Sequence, residues 1–314
     1  MRSTADPAIL PTTAADEERR PSRTARVGRS LARDWLAIAS IVVLAAVLIA
    51  AVVPGLLMTH APIAPSMDRL EPPSADHFFG TDQFGRDIFS RCIAAAQISL
   101  IVGFVTVLLA LAIGVPLGAI AGYVGPGWLD NAIMRLMDVM LAFPPIILAI
   151  TVIAALGTEP LQIGPITLPH IAKLMFVIGV LYSPEIARIV RSAVLVEREE
   201  QYVLAERAIG TSTSRILFGD ILKNSLSPVM VHATLLVANA IIAEAALSFL
   251  GLGIQPPDPS WGGMLADART YVASGEWWMT VFPGLLIFFT VCALNILGDF
   301  LRDLLDPRDV DGKA

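Results

Sequence analysis

The chain has 314 residues, of which 55% are hydrophobic and 16% charged, and its mean hydropathy is +0.69. That apolar share exceeds what soluble domains carry and defines an integral membrane protein. The net charge of −6 is an acidic excess spread over loops and the last dozen residues, so it offers no basic face to nucleic acid.

Taken in chain order, residues 1–34 read as a Pro-, Thr- and Arg-rich cytoplasmic tail without a fixed fold. Trp35 to Leu57 is a first membrane span, too long and too far from Met1 for a removable signal peptide. An extended segment with Pro62, Pro65, Pro72 and Pro73 follows. It ends in Gly80-Thr81-Asp82-Gln83-Phe84-Gly85-Arg86-Asp87, which predicts a turn, and Ile88, Phe89 and Ile93 then predict an amphipathic helix lying at the surface. The aspartates lack calcium-loop spacing and no Glu closes them, so no metal ligand set is assigned. Residues 35–96 thus form an anchor and external segment.

Residues 97–301 form the core, with five further spans expected at Ile98 to Tyr123, Val139 to Leu156, His170 to Val190, Leu226 to Leu250 and Trp277 to Gly298, each near the roughly 20 residues a bilayer crossing needs. The expected fold is all-α, a polytopic membrane protein with six transmembrane helices, and residues 302–314 form a second cytoplasmic tail. Gly114, Gly118 and Gly122 repeat every four residues, the spacing of close helix packing. Pro116, Pro144-Pro145, Pro184 and Pro283 predict breaks or kinks, which persist in a membrane only beside protein or a wet cavity. Glu185 and Glu244 are candidates for a pathway or gate, since the bilayer penalises charge; the plainer alternatives are a Glu185–Arg188 pair and a Glu244 bond to backbone. Trp261, Trp277 and Trp278 suit a membrane interface. Cys92 and Cys292 read as unpaired apolar fillers.

No Gly-x-x-x-x-Gly-Lys-Ser/Thr phosphate loop is present, and Gly122-x-x-Gly125-x-Gly127 has the wrong spacing. A chain that pumps with ATP therefore needs its motor on another polypeptide. No catalytic residue and no cofactor is assigned. Basic residues set the orientation: seven arginines precede residue 34 and six basic residues lie between Arg188 and Lys223, so these segments and both termini are expected inside. Between the fourth and fifth spans, Glu199 to Ile209 predicts a short amphipathic helix with Val203, Leu204, Ala208 and Ile209 as its apolar edge. Gly210 ends it, and Thr211 to Ser214 supply a turn and an N-cap for a helix near Arg215. By itself this segment reads equally well as an ordinary solvated loop helix.

Ala205-Glu206-x-Ala208 with Gly210 and Pro228 resembles the EAA loop of ABC-importer permeases. Gly80-Thr81-Asp82-x-x-Gly85-Arg86-Asp87 with Ser90-Arg91, Ala245 to Gly253 running into Gln255 to Gly262, and Gly298-Asp299 with Leu305-Asp306-Pro307-Arg308 are similar to the C-type permease subunit of the dipeptide/oligopeptide (peptide/nickel) ABC importers. The resemblance covers Phe79 to Arg308. It implies a type I ABC importer permease fold in a bacterial inner membrane and transport of di- or oligopeptides. The implied partners are a related permease subunit, two ATP-binding subunits and an external substrate-binding protein. Tyr202, Ala205, Glu206, Arg207, Ala208, Gly210 and Pro228 become the loop that docks on the ATPase. Arg207 departs from the pattern, standing where its second alanine is expected. Relatives of this kind also imply nickel chelates, glutathione or other small solutes as alternative cargo. An ion-coupled secondary carrier is the remaining alternative, but the chain shows no inverted repeat.

Overall fold

The computed structural model describes residues 34–305. The N-terminal tail and the closing Asp306-Pro307-Arg308 lie outside the described residues. Among the described residues, four helices are long and apolar enough to cross a membrane: α1 (Trp35–Val52), α3 (Ile88–Val124), the run containing α8 (Thr213–Arg215) and α9 (Leu222–Phe249), and α11 (Trp278–Leu305). A fifth apolar stretch is interrupted. Pro144-Pro145 separates α4 (Trp128–Leu141) from α5 (Pro145–Leu156), which meet at an 86° bend, because proline at the start of α5 forbids continuation of the preceding helix. With 12 residues, α5 is about 18 Å long and too short to cross alone. The single third span expected from sequence is therefore two helices. The sixth segment, α6 (His170–Glu197), is 28 residues long but carries Lys173, Glu185, Arg188 and Arg191.

Other departures have simple causes. Pro54 ends α1 and starts a single turn, α2 (Pro54–Leu57). Ile88 to Ile93 is no separate surface helix. It is the first turns of α3, whose 37 residues span about 55 Å at 1.5 Å per residue. Asp87 caps that helix, its carboxylate accepting the Ser90 N–H at 2.7 Å. Between α5 and α6 stands a hairpin of β1 (Leu161–Ile163) and β2 (Ile166–Leu168), turned by Gly164-Pro165 with Gly164 at φ 60°.

Packing is built on α3 and α6. The glycine stripe of α3 lies against α6: a methyl group at Gly114 would sit 2.5 Å from the Ser183 carbonyl oxygen, one at Gly118 2.9 Å from Val190 Cβ, and one at Gly122 2.8 Å from the Arg191 carbonyl oxygen. The backbones touch because those side chains are absent. Gly179 of α6 repeats the arrangement toward Thr106 and Leu109 of α3. Helix α9 packs across α3, α6 and α11, while α1 packs against α3 and α11.

At the end of the bundle where α3 begins, the segment 58–87 folds back on α10 (Trp261–Ala268) and α11. Asp82 organises the predicted turn, accepting the Phe84 and Arg86 backbone N–H groups at 2.9 and 3.0 Å and the Arg86 guanidinium at 2.6 Å. Trp261 and Trp278 are buried and donate to the carbonyls of Cys92 and Thr81 at 3.0 and 3.2 Å. The interfacial role expected of these tryptophans is corrected for two of the three. Only Trp277 is largely exposed. Cys92 and Cys292 are both free thiols.

Candidate docking site

At the opposite end of the bundle, α7 (Gln201–Ala208) projects between α6 and the run that becomes α9. Its end is a complete Schellman closure. Gly210 sits at φ +81°, its N–H donates to Arg207 O at 3.1 Å, and the Thr211 N–H donates to Glu206 O at 3.0 Å. The Ser212 position starts the next helix without a side-chain cap bond, so the expected N-cap holds by backbone alone. That helix does not stop. One turn of α8 passes through a π-helical stretch, Ile216–Ile221, into α9, and the whole run from Thr213 to Phe249 is one membrane-length rod. The rod thus begins 13 residues before Leu226, the start expected from sequence. Pro228 lies inside the rod, in α9.

Several contacts seat α7 and its flanks. Val203 is fully buried. The Tyr202 hydroxyl donates to Glu197 Oε1 at 2.8 Å, and Asn224 Nδ2 donates to the same carboxylate oxygen at 3.0 Å and to Tyr202 Oη at 3.2 Å. This triad joins the end of α6, the start of α7 and the base of α9. Lost hydration and the adjoining Glu197 carboxylate push the Tyr202 phenol up to about 12, so it remains a donor across the physiological range. Arg207 lies over the Tyr123 ring, 5.4 Å from its centroid. Arg198 donates to the carbonyls of Gly122 and Tyr123 at 3.2 and 3.1 Å, closing the C-terminal end of α3 with a cation.

The apolar edge expected along α7 is thereby split. Val203 faces inward, whereas Leu204 (55% exposed) and Ile209 (82% exposed) point away from the chain. Ala205 and Ala208 share the exposed face, and Glu206 is half-buried with one carboxylate oxygen unpartnered. Glu197, Asn224 and His232 were not singled out from sequence. The Glu197–Asn224 and Glu185–His232 pairs span 27 and 47 residues, and no local pattern carries such a pairing.

The two intramembrane carboxylates part ways. Glu185 does not pair with Arg188. Its carboxylate meets His232 Nε2 of α9 at 3.1 Å, and both side chains are about one-third exposed, while Arg188 binds Asp138 of α4 at 2.5 Å. Glu244 is fully buried, and it binds a side chain rather than backbone: Ser248 Oγ donates to it at 2.6 Å. Ser248 Oγ in turn accepts the Ile254 N–H at 2.9 Å, so Glu244 anchors the turn that leaves α9. Glu244→Gln, which keeps an acceptor of the same shape, should leave thermal stability in detergent nearly unchanged. Glu244→Ala should cost about 2–3 kcal/mol through the void and the orphaned serine, read as a Tm drop of several degrees.

Long apolar helices, a broken span and a polar projecting element define a multi-pass membrane protein of the transport-permease class. Residues 114–309 match the family described as binding-protein-dependent transport system inner membrane component, and the chain belongs to that family. It is 44% identical over 282 residues to a dipeptide transport system permease protein of Alkalihalophilus pseudofirmus, covering 89% of this chain and 88% of that one. It is 40% identical to a probable D,D-dipeptide transport system permease protein of Escherichia coli, over 87% and 88% of the two chains. A glutathione transport system permease protein of Pectobacterium atrosepticum is 43% identical over 77% of this chain and 76% of its own. Among solved structures, an inward-facing MetNI methionine ABC transporter matches with a TM-score of 0.52 and 21% identity, covering 68% of this chain and 96% of that one; that likeness concerns the fold.

Proposed function

We propose that the chain is one permease subunit of an ATP-driven peptide importer, forming half of a translocation path with a related permease subunit. Two ATP-binding subunits supply the energy and an external binding protein delivers the cargo. The observation that carries this reading is α7: a short helix clamped to α6 and α9 by the Glu197–Tyr202–Asn224 triad, yet presenting Leu204 and Ile209 outward. A helix held at its base with an unpartnered apolar tip suits a groove in another protein. Tyr202, Ala205, Glu206, Arg207, Ala208 and Gly210 form this docking loop, and Pro228 sits in the rod it drives. Movement of the ATPase reaches the membrane through the rod from Thr213 to Phe249. Glu185 with His232 is the pathway candidate, and Glu244 serves packing. Di- or oligopeptides are the favoured cargo because the dipeptide permeases are similar over nearly the whole chain; the glutathione permease keeps a peptide-like thiol as a second substrate.

The test is uptake of labelled dipeptide into proteoliposomes. Uptake is expected with the complete complex and ATP, and none with this chain alone. Ion-driven uptake by the single chain would sink the importer reading. Orientation is tested separately in a background lacking Cys92 and Cys292. Ser212→Cys should react with an impermeant thiol reagent only from inside, and Ser260→Cys, once exposed by mild denaturation, only from outside. Reaction of both from one side would overturn the six-segment topology.

A further inference from the structure

Far from α7, two imidazoles and a carboxylate converge on the segment that precedes α3. His77 Nδ1 lies 2.9 Å from Asp87 Oδ1, and His60 Nδ1 lies 3.9 Å from the same oxygen. The ligand atoms of all three residues fall within 4.8 Å of one another, and the two rings are 4.6 Å apart between centroids, tilted by 34°. We propose that His60, His77 and Asp87 form a binding site for a divalent first-row transition-metal ion of the zinc type.

Bonds of about 2.0–2.1 Å to nitrogen and oxygen in a tetrahedral site place neighbouring ligands roughly 3.4 Å apart. The distances of 2.9 and 3.9 Å bracket that value, and His60 is the ligand that adjusts, its Nδ1 exchanging Thr59 Oγ1 at 3.0 Å for the ion. Its side chain is 45% exposed, against 9% for His77 and 1% for Asp87. The surrounding bonds hold the ligands as outer-shell partners do in metal sites. Asp87 Oδ2 is occupied by the Ser90 N–H at 2.7 Å, which leaves Oδ1 facing both rings. Ser90 Oγ accepts the backbone N–H groups of Thr59 and His60 at 3.2 and 3.0 Å, strapping the His60 backbone to the start of α3. On binding, His77 takes the tautomer with its proton on Nε2, which frees the Nδ1 lone pair, and the ion stands between Nδ1 and the Asp87 carboxylate oxygen 2.9 Å away. Imidazole and carboxylate together favour a zinc-type ion over magnesium or calcium, which take all-oxygen sets. The fourth position is open on the exposed side of His60. An ion there ties the segment leaving α2 to the N-terminus of α3. The site stands apart from the transport reading, because its occupancy is measured without uptake.

The experiment uses the complete transporter, purified through a tag without histidine and stripped with chelator. Zinc binding is measured by equilibrium dialysis and calorimetry in excess magnesium. The wild type is expected to bind one more equivalent of zinc, at micromolar or tighter affinity, than His60→Ala, with zinc raising the Tm of the wild type alone. X-ray absorption of that equivalent should show two imidazoles. Because His60 is exposed, its loss leaves the fold intact, and the unliganded Tm checks this. Equal stoichiometry and affinity in wild type and His60→Ala would overturn the proposal and leave a His77–Asp87 hydrogen bond as the whole of the arrangement.

Discussion

Gly118→Leu is expected to remove most of the folded chain from the membrane. Gly118 sits where α3 crosses α6, and even a single added carbon would press on the Ala187 carbonyl oxygen and lie 2.9 Å from Val190 Cβ. Backbone cannot rotate away as a flexible side chain can, so the helices must separate. Separation loses the contacts at Gly114 and Gly122 as well, since all three glycines share one seam. Overpacking a good core costs about 1–3 kcal/mol per site, and a whole seam opened exceeds that. Gly219→Ala is the matched control. The nearest atom to its new methyl group is Arg215 Cγ at 3.8 Å, an ordinary contact, and accumulation should be unchanged. Size-exclusion chromatography of detergent extracts reads both variants. A wild-type monodisperse peak for Gly118→Leu would show that α3 and α6 do not depend on this close approach.

What the sequence made legible was local or periodic. The apolar runs marked the long helices, the i, i+4 glycines marked the face of α3 that meets α6, and Gly210 marked the end of α7. Gly80 to Asp87 read correctly as a turn because Asp82 and the glycines act within a few residues. What stayed hidden was pairing across the fold. Glu185 looked like a partner for Arg188 because they lie one turn apart, but His232 on another helix offered the nearer contact. Trp261 and Trp278 looked interfacial by residue type, yet each has a carbonyl more than 150 residues away to satisfy its N–H inside the protein. The bend at Pro144-Pro145 was foreseeable as a break, but not its 86° angle, which depends on what α5 packs against. Helix α7 was legible as an element. Which side it hides was not, since Val203 and Leu204 are equally apolar and only tertiary contact buries one of them.

The second large effect is expected at Gly210. Its φ of +81° lies where residues with a Cβ are strained, and a β-branched side chain there costs on the order of 1–2 kcal/mol. An added Cβ meets no atom of the described residues within 4 Å beyond its chain neighbours, so the first effect of Gly210→Val is on backbone conformation. The Thr211 N–H to Glu206 O bond is the contact that must yield, and it fixes the angle between α7 and the rod from Thr213 to Phe249. If α7 docks on the ATPase, a changed angle misplaces Leu204 and Ile209 while the bundle stays folded. The variant should insert, lose no more than a few degrees of Tm and assemble, yet uptake should fall at least tenfold and substrate should no longer stimulate ATP hydrolysis. Gly210→Asn supplies the discriminating partner, because asparagine tolerates the left-handed region and should retain much of the coupling. Substrate-stimulated ATPase is measured beside uptake in reconstituted complexes. Wild-type coupling in Gly210→Val would refute the docking role of this turn, whereas equal loss in Gly210→Asn would place the defect in side-chain contact with the partner instead of in the backbone.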